Sequence, residues 1–178
     1  MASRGQWIAV GVVLGVVGFG VGAAVLLTPD FTRLEPGAHA PNFGAESLAT
    51  GDTVRLSDFK GQVVLLNIWA TWCGPCESEM PSIQRLYEEM KPEGLKVVAV
   101  SIDRAAPEAV KKWLDERHLT FPVFQDASGR IQDTYQTTGV PETFVIDRDG
   151  VIVKKLIGPT EWDHPAQKAL FRRLLAAK

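Results

Sequence analysis

The pattern of apolar and polar residues opens with one long, uninterrupted apolar segment. Residues 7–27 contain no charged or strongly polar side chain. As a helix they would be about 31 Å long, which is close to the thickness of the hydrocarbon core of a bilayer. A cleaved signal peptide has a shorter apolar region, of roughly 7 to 15 residues. The pattern therefore predicts a transmembrane anchor over residues 7–27.

Charges on either side of this segment predict its orientation. Arg4 precedes it, and Asp30 is the first charged residue after it. Under the positive-inside rule, residues 1–6 stay in the cytoplasm and the rest of the chain lies outside. We therefore expect a single-pass protein of the cytoplasmic (inner) membrane with its domain on the extracytoplasmic, or periplasmic, side. Residues 28–39 contain turn-forming prolines and glycine and are expected to be a tether.

From residue 40 onward the pattern alternates between strands and amphipathic helices. Strands are predicted at residues 43–48, 53–56, 63–69, 96–102, 121–124, 143–147 and 151–157. Helices are predicted at residues 107–117, 131–135 and 165–177, and along a stripe formed by Ile83, Leu86, Tyr87 and Met90. This order predicts one α/β domain over residues 40–178, with a mixed central sheet whose inner strands are parallel, helices flanking it and an N-terminal hairpin.

Charge and cysteine content narrow the function classes. The chain has 19 Lys and Arg against 21 Asp and Glu, for a formal net charge of -2, and it contains no basic block that would neutralise a phosphate backbone. Nucleic acid is therefore not an expected partner. The 2 cysteines lie close together in sequence, so they cannot crosslink distant parts of the fold. Their expected role is local chemistry.

The two cysteines form the segment Trp72-Cys73-Gly74-Pro75-Cys76, where a predicted strand passes into a helix. At a helix start, the dipole and the unpaired backbone N–H groups favour the thiolate of Cys73. Cys76, about one turn later, can attack a mixed disulfide on Cys73. Gly74 allows another chain to approach closely, and Pro75 lacks only an N–H that the first helical turn leaves unpaired. The spacing predicts a redox-active dithiol.

Two other uses of a cysteine pair fit these residues less well. A zinc site would need further ligands, yet the chain has no second Cys-x-x-Cys and its histidines are scattered at His39, His118 and His164. Buried structural thiols would have no reason to bracket Gly-Pro at a strand–helix junction. We therefore expect neither a metal nor a cofactor.

The residues around the dithiol resemble a known superfamily. The run Asn67-Ile68-Trp69-Ala70-Thr71-Trp72-Cys73-Gly74-Pro75-Cys76, Pro81 on the next helix and Gly139-Val140-Pro141 before a strand resemble thioredoxins. Within this superfamily, the chain resembles the membrane-anchored TlpA/ResA/CcmG-like branch in four features. These are the predicted anchor, the segment Ala40-Pro41-Asn42-Phe43, the segment Glu79-Met80-Pro81, and an extra helix and strand between Asp103 and Gln125. The resemblance spans residues 40–178 and implies a thioredoxin-like fold with a central helix-strand insertion.

Several site residues follow from the resemblance. It implies that Cys73 attacks, that Cys76 resolves, and that the Val140-Pro141 peptide is cis opposite the dithiol, although the residues alone fit a trans proline equally well. The backbone of Val140 would then pair with a bound peptide. Trp69 is expected to pack, and Trp113 and Trp162 are expected to have only structural roles. The residues expected to bind the client are Trp72, Gly74, Pro75, Val140 and Pro141.

The proton acceptor is a separate question. Glu79 lies one helical turn after Cys76, where related oxidoreductases keep a buried acid that manages the proton of the resolving cysteine. Soluble thioredoxins carry a buried aspartate where this chain has Asn67, which cannot titrate. The proton acceptor is therefore Glu79, Glu142 beside Pro141, or water, and we favour Glu79.

Together these features predict a thiol-disulfide oxidoreductase that reduces extracytoplasmic protein disulfides. The resemblance implies clients such as apocytochrome c or copper-site cysteines, and a membrane thiol transporter that supplies electrons. A thiol peroxidase is a second hypothesis, but it would need Thr and Pro where this chain has Ala70 and Leu66. A Cu(I) chaperone, using both thiolates and a histidine, is a weaker one.

Overall fold

The sheet is organised around β3 (Val64–Trp69), the strand that leads to the dithiol. All of its residues are buried, as expected for a predominantly apolar run enclosed on both faces. It pairs in parallel with β4 (Lys96–Ser101) and antiparallel with β6 (Glu142–Ile146). The structure is a computed structural model that describes residues 34–177.

Four further strands complete a mixed sheet. They are β1 (Gly44–Ser47), β2 (Thr53–Arg55), β5 (Val123–Gln125) and β7 (Ile152–Ile157). The spatial order is β2-β1-β5-β4-β3-β6-β7. β3, β4 and β5 are parallel, and the other neighbouring pairs are antiparallel. This arrangement confirms the predicted hairpin at the N-terminal side and the parallel inner strands.

The helices lie between the strands in the predicted order. They are α1 (Gly74–Met90), α2 (Pro107–Asp115), α3 (Arg130–Thr134) and α4 (Pro165–Ala176). In α1, which continues past Pro81, the predicted stripe is buried at Ile83, Leu86 and Met90 and partly buried at Tyr87. α2 and β5 form the predicted helix-strand insertion.

Some boundaries differ from the predicted ones, for local reasons. α2 ends at Asp115 rather than at residue 117, because His118 adopts a left-handed φ of 54° and the Leu119 N–H donates to the Leu114 carbonyl, which closes the helix. β5 begins at Val123, two residues later than predicted, after Pro122, which has no N–H to give to a ladder. A short 3₁₀ helix, Leu56–Phe59, follows β2 and was not predicted.

The folded domain starts before residue 40. Leu34 is buried in the core, and the backbone between Gly37 and Ala40 makes hydrogen bonds to Gly150 and Ile152 at the start of the last hairpin strand. Residues 34–39 of the predicted tether, 28–39, therefore pack onto the domain.

The predicted membrane segment belongs to the part of the chain that precedes the described residues. Residues 1–33 and 178 lie outside the described residues, and with them the predicted cytoplasmic segment 1–6, the anchor 7–27 and the first part of the tether. Within residues 34–177, the structure contains no helix with the length and apolarity needed to cross a bilayer.

Candidate active site

Cys73 is the residue that caps the N-terminus of α1. Its backbone is extended, with φ -93° and ψ 102°, and the chain enters the helix at Gly74 with proline in the first turn. The Cys76 backbone N–H donates to the Sγ of Cys73 at 3.1 Å. A hydrogen bond of this kind, together with the positive end of the helix dipole, favours negative charge on that sulfur.

The two cysteines are joined in a disulfide, with their Cα atoms 5.2 Å apart. Cys76 is fully buried, and Cys73 is 5% exposed at the surface. The preceding side chain, Trp72, is 68% exposed. A Cβ placed on Gly74 would meet nothing within 4 Å, so the surface beside Cys73 is open. An incoming chain therefore reaches Cys73 before Cys76.

The segment before β6 lies against the Cys73 end of the dithiol. The Val140-Pro141 peptide bond is cis, as the family resemblance implied. The Sγ of Cys73 lies 3.3 Å from the Val140 carbonyl oxygen. The structure thus brings Val140, Pro141 and Cys73 together from positions 67 residues apart.

Glu79 is 2% exposed and accepts hydrogen bonds from two distant parts of the chain. The Trp162 indole Nε1–H donates to Oε1 at 2.6 Å, and the Thr160 N–H donates to the same oxygen at 3.2 Å. On the sheet side, the Asn67 amide donates to Oε2 at 3.2 Å. Burial of the carboxylate raises the pKa of Glu79 from 4.5 to about 7, although all three hydrogen bonds oppose the change.

Trp162 is a functional neighbour that sequence reasoning missed. It was expected to be structural, and its ring is indeed fully buried and packs on Phe171 with centroids 6.2 Å apart. Its N–H, however, binds the Glu79 carboxylate directly. No local pattern signals this contact, since 83 positions separate the two residues.

Asn67 occupies the centre of this buried polar group. Its Nδ2 donates to Glu79 and also, at 2.8 Å, to the Thr143 hydroxyl on the antiparallel neighbour β6. The other amide atom, Oδ1, is buried and has no hydrogen-bond partner among residues 34–177. Asn67 therefore donates one hydrogen bond to the acid.

The chain has relatives among known proteins. Residues 36–155 match the AhpC/TSA family. The chain belongs to this family. It is 40% identical over 129 residues to a thiol-disulfide oxidoreductase ResA of Bacillus cereus, covering 72% of this chain and 73% of the relative. It is 39% identical over 150 residues to a ResA of Bacillus thuringiensis subsp. konkukian, covering 83% of each chain.

Solved structures agree with these relatives. A putative thiol:disulfide interchange protein DsbE from Chlorobium tepidum superposes with a TM-score of 0.72 at 33% identity, covering 80% of this chain and 99% of that one. The fold is thioredoxin-like, the TlpA/ResA/CcmG-like resemblance is confirmed, and the chain is a thiol-disulfide oxidoreductase of the AhpC/TSA family.

The other predicted functions gain no support in this AhpC/TSA protein. Ala70 and Leu66 stand at the positions where a thiol peroxidase would need Thr and Pro, and both are buried apolar residues. Within residues 34–177, no three His, Cys, Asp or Glu side chains are grouped so that they could hold a metal ion. The named relatives are oxidoreductases of thiols and disulfides.

Glu142, the other candidate acid, has a different environment. It is fully buried, but it forms an ion pair with Lys155 at 3.1 Å and accepts a hydrogen bond from the Thr138 N–H. Burial raises the pKa of Glu142, and the Lys155 ammonium opposes that change. Because successive residues of a strand point to opposite faces, Glu142 lies on the other side of β6 from Thr143 and its Asn67 partner.

Ile157 is a residue near the site that the sequence analysis did not single out. It ends β7 opposite Glu142, and the next residue, Gly158, donates its N–H to the Pro141 carbonyl at 2.8 Å. Ile157 is 63% exposed; with Trp72, it is one of the two large apolar side chains found exposed in the described part of the chain. Its position beside Pro141 could be inferred only from the strand register.

The raised pKa of Glu79 predicts a specific dependence of stability on pH. Between about pH 4.5 and about pH 7 the folded, oxidised protein keeps a proton that the unfolded chain has released. The contribution of Glu79 to folding is therefore largest below about pH 4.5 and falls as the pH rises, by about 3 kcal/mol in total. Urea unfolding across this range should show a fall that is smaller in Glu79→Gln than in the wild type by about that amount, because the buried Glu142 still contributes its own fall.

Glu77→Gln is the matched control. Glu77 is an exposed acid on the same helix, and its carboxylate pairs with Arg117 at the surface. This variant should retain the slope that belongs to Glu79. An identical slope in the wild type and in Glu79→Gln would contradict the raised pKa.

Proposed function

We propose that this thiol-disulfide oxidoreductase is a reductant of protein disulfides on the extracytoplasmic side of the membrane. The observation that carries the proposal is the arrangement on α1: a slightly exposed sulfur that accepts the Cys76 N–H, a fully buried second sulfur, and a buried acid with a pKa of about 7 one turn later. This arrangement supplies a nucleophile, a resolving thiol and a proton acceptor in order along one helix.

The first step consumes the client disulfide. In the reduced enzyme the Cys73 thiolate attacks one client sulfur, the client S–S bond breaks, and a mixed disulfide forms as the other client sulfur leaves as a thiolate that takes a proton from solvent. The Cys76 N–H and the start of α1 stabilise the attacking thiolate.

The second step releases the client. Cys76 gives its proton to the Glu79 carboxylate, and the resulting thiolate attacks the Cys73 sulfur, which forms the Cys73–Cys76 disulfide and expels the second client sulfur as a thiolate. Two electrons pass from the enzyme dithiol to the client. A pKa of about 7 suits this duty, because the acid then accepts and returns a proton near neutral pH.

Glu79 is preferred over Glu142 on two structural grounds. Glu79 follows Cys76 by one turn of the same helix, where neighbouring side chains meet, and its donors are neutral groups. Glu142 is engaged by the Lys155 ammonium on the far side of β6. Asn67 suits the cycle, since a turn of its amide would present the unpaired Oδ1 to a protonated Glu79.

The client surface surrounds Cys73. Trp72 offers an exposed aromatic face, Ile157 extends the apolar surface beside Pro141, and the backbone of Val140 pairs with an extended client segment. Gly74 leaves the approach to Cys73 open, and the exposed Pro75 borders it.

Clients and location follow from the resemblance to the TlpA/ResA/CcmG-like branch. We place apocytochrome c or copper-site cysteines among the clients, and a membrane thiol transporter as the electron donor, because oxidising surroundings would otherwise keep the dithiol closed. The apolar segment 7–27 would anchor the domain to the cytoplasmic membrane. The chemistry needs no cofactor or metal.

Trapping tests the order of the two cysteines. Cys76→Ser should hold clients as mixed disulfides on Cys73, because the resolving thiol is missing, and mass spectrometry of the trapped species identifies them. Cys73→Ala should trap nothing and lose disulfide reductase activity. Full activity in Cys73→Ala would sink the mechanism.

Glu79→Gln tests the proton acceptor. The variant should slow reduction of a synthetic peptide disulfide by about tenfold to a hundredfold, and the dependence of its rate on pH near 7 should disappear. Glu142→Gln serves as the comparison and should retain that dependence. If Glu142→Gln alone removes it, Glu142 is the acceptor instead.

Trp72→Ala tests the client surface. Loss of an exposed aromatic contact should raise KM for the peptide disulfide about fivefold to tenfold, while reduction of cystamine, which is too small to reach beyond the sulfur atoms, stays near the wild-type rate. Trp113→Phe, which changes an aromatic residue packed beneath the site against Trp69, is the control. Equal losses for both substrates would remove Trp72 from client binding.

A further inference from the structure

Asp103 is a buried carboxylate at the end of β4 that the disulfide chemistry does not use. It is 2% exposed and accepts three hydrogen bonds. The Thr71 N–H donates at 2.9 Å, the Thr71 hydroxyl at 2.6 Å and the Ser101 hydroxyl at 2.6 Å. A buried carboxylate is tolerated only when it is satisfied in this way, and two of its three donors belong to one residue of the active-site loop.

Thr71 lies in the short loop between β3 and the dithiol. The loop is held at its start, where the Ile102 N–H donates to the Trp69 carbonyl, and it closes as a turn in which the Cys73 N–H donates to the Ala70 carbonyl. Between these two points, the described contacts of Thr71 are those to Asp103. The next two residues are Trp72, which is exposed, and Cys73, which is almost completely buried.

Asp103 is itself held from the opposite side by the insertion. The Gln125 side-chain amide donates to the carbonyls of Asp103 and Ala105 at 2.8 Å each. Gln125 ends β5, so the two ends of the helix-strand insertion are bonded to each other at Asp103. The insertion and the active-site loop therefore meet at this one residue: the insertion bonds its backbone carbonyl, and the loop bonds its carboxylate.

We propose that Asp103 is a positioning residue for client reduction. Its carboxylate holds Thr71, and through Thr71 it fixes the direction of Trp72 and the place of Cys73 at the start of α1. The inference rests on the proposed function in one respect, namely that clients bind across Trp72. A protein client contacts Trp72 and Cys73 together, so its reduction depends on the relative position of these two side chains. A small disulfide reacts with the Cys73 sulfur alone, so its reduction does not depend on Trp72.

The central variant is Asp103→Asn, which keeps the size of the side chain but replaces one acceptor oxygen with an amide donor. It should raise KM for a synthetic peptide carrying a Cys-x-x-Cys disulfide by about fivefold and leave the rate of cystamine reduction within about twofold of the wild-type rate. It should also speed hydrogen exchange at the Thr71 amide, which loses an acceptor. Thr71→Val should raise the same KM, and Thr71→Ser, which keeps the hydroxyl, should not.

Asp126→Asn is the matched control. Asp126 is also a buried aspartate at a strand end, and it accepts from the backbone N–H groups of Ser128 and Ile131 in a different loop. This control should lower the free energy of unfolding, as Asp103→Asn does, without changing KM for the peptide. If the two variants give the same KM, the inference is wrong, whatever their stabilities.

Two further outcomes are separable. If Asp103→Asn does not fold, the comparison of Thr71→Val with Thr71→Ser decides, and equal KM values for that pair overturn the proposal. If the wild type fails to reduce the peptide, the proposed function is wrong, and the alkylation rate of Cys73 in the reduced protein becomes the readout. Asp103→Asn must then differ from Asp126→Asn in that rate, or the positioning role is wrong as well.

Discussion

The structure depends on a carboxylate, Glu79, that is almost completely buried. Glu79 is held by donors that lie 12, 81 and 83 positions away along the chain, from β3 and from the segment before the last helix. Burial raises the pKa of the acid, and the hydrogen bonds lower it, so the balance of the two effects leaves it near 7. The same bonds join the helix that carries the cysteines to the sheet and to the C-terminal segment.

A second buried carboxylate serves the other side of the site. Glu79 follows the dithiol on α1 and has a pKa suited to proton transfer. Asp103 instead bonds Thr71, in the loop that leads into the dithiol and carries Trp72. The two acids differ in their partners: Glu79 accepts only N–H groups, and Asp103 accepts two hydroxyls and one N–H. We therefore propose that proton transfer and positioning belong to two separate acids around a single pair of sulfurs.

Most of the fold was predictable because its signals are local. The apolar run before the dithiol, the stripe of Ile83, Leu86 and Met90, and the turn signals of the hairpins each lie within one element, and the elements appeared in the predicted order. The errors were at ends, such as the early stop of α2 at Asp115. There the left-handed backbone of His118 decides the boundary, and a histidine carries no strong sequence signal for that conformation.

The sequence by itself determined the dithiol, its place between a strand and a helix, and the family. These depend on residues close together in the chain, above all two cysteines three positions apart at the start of a helix. Only the tertiary structure decided that Trp162 binds Glu79, that Glu142 is occupied by Lys155, that Ile157 lies beside Pro141 and that Asp103 holds Thr71. Each of these contacts joins residues from different elements, and the environment of a side chain, including the desolvation that shifts a pKa, exists only once those elements have packed.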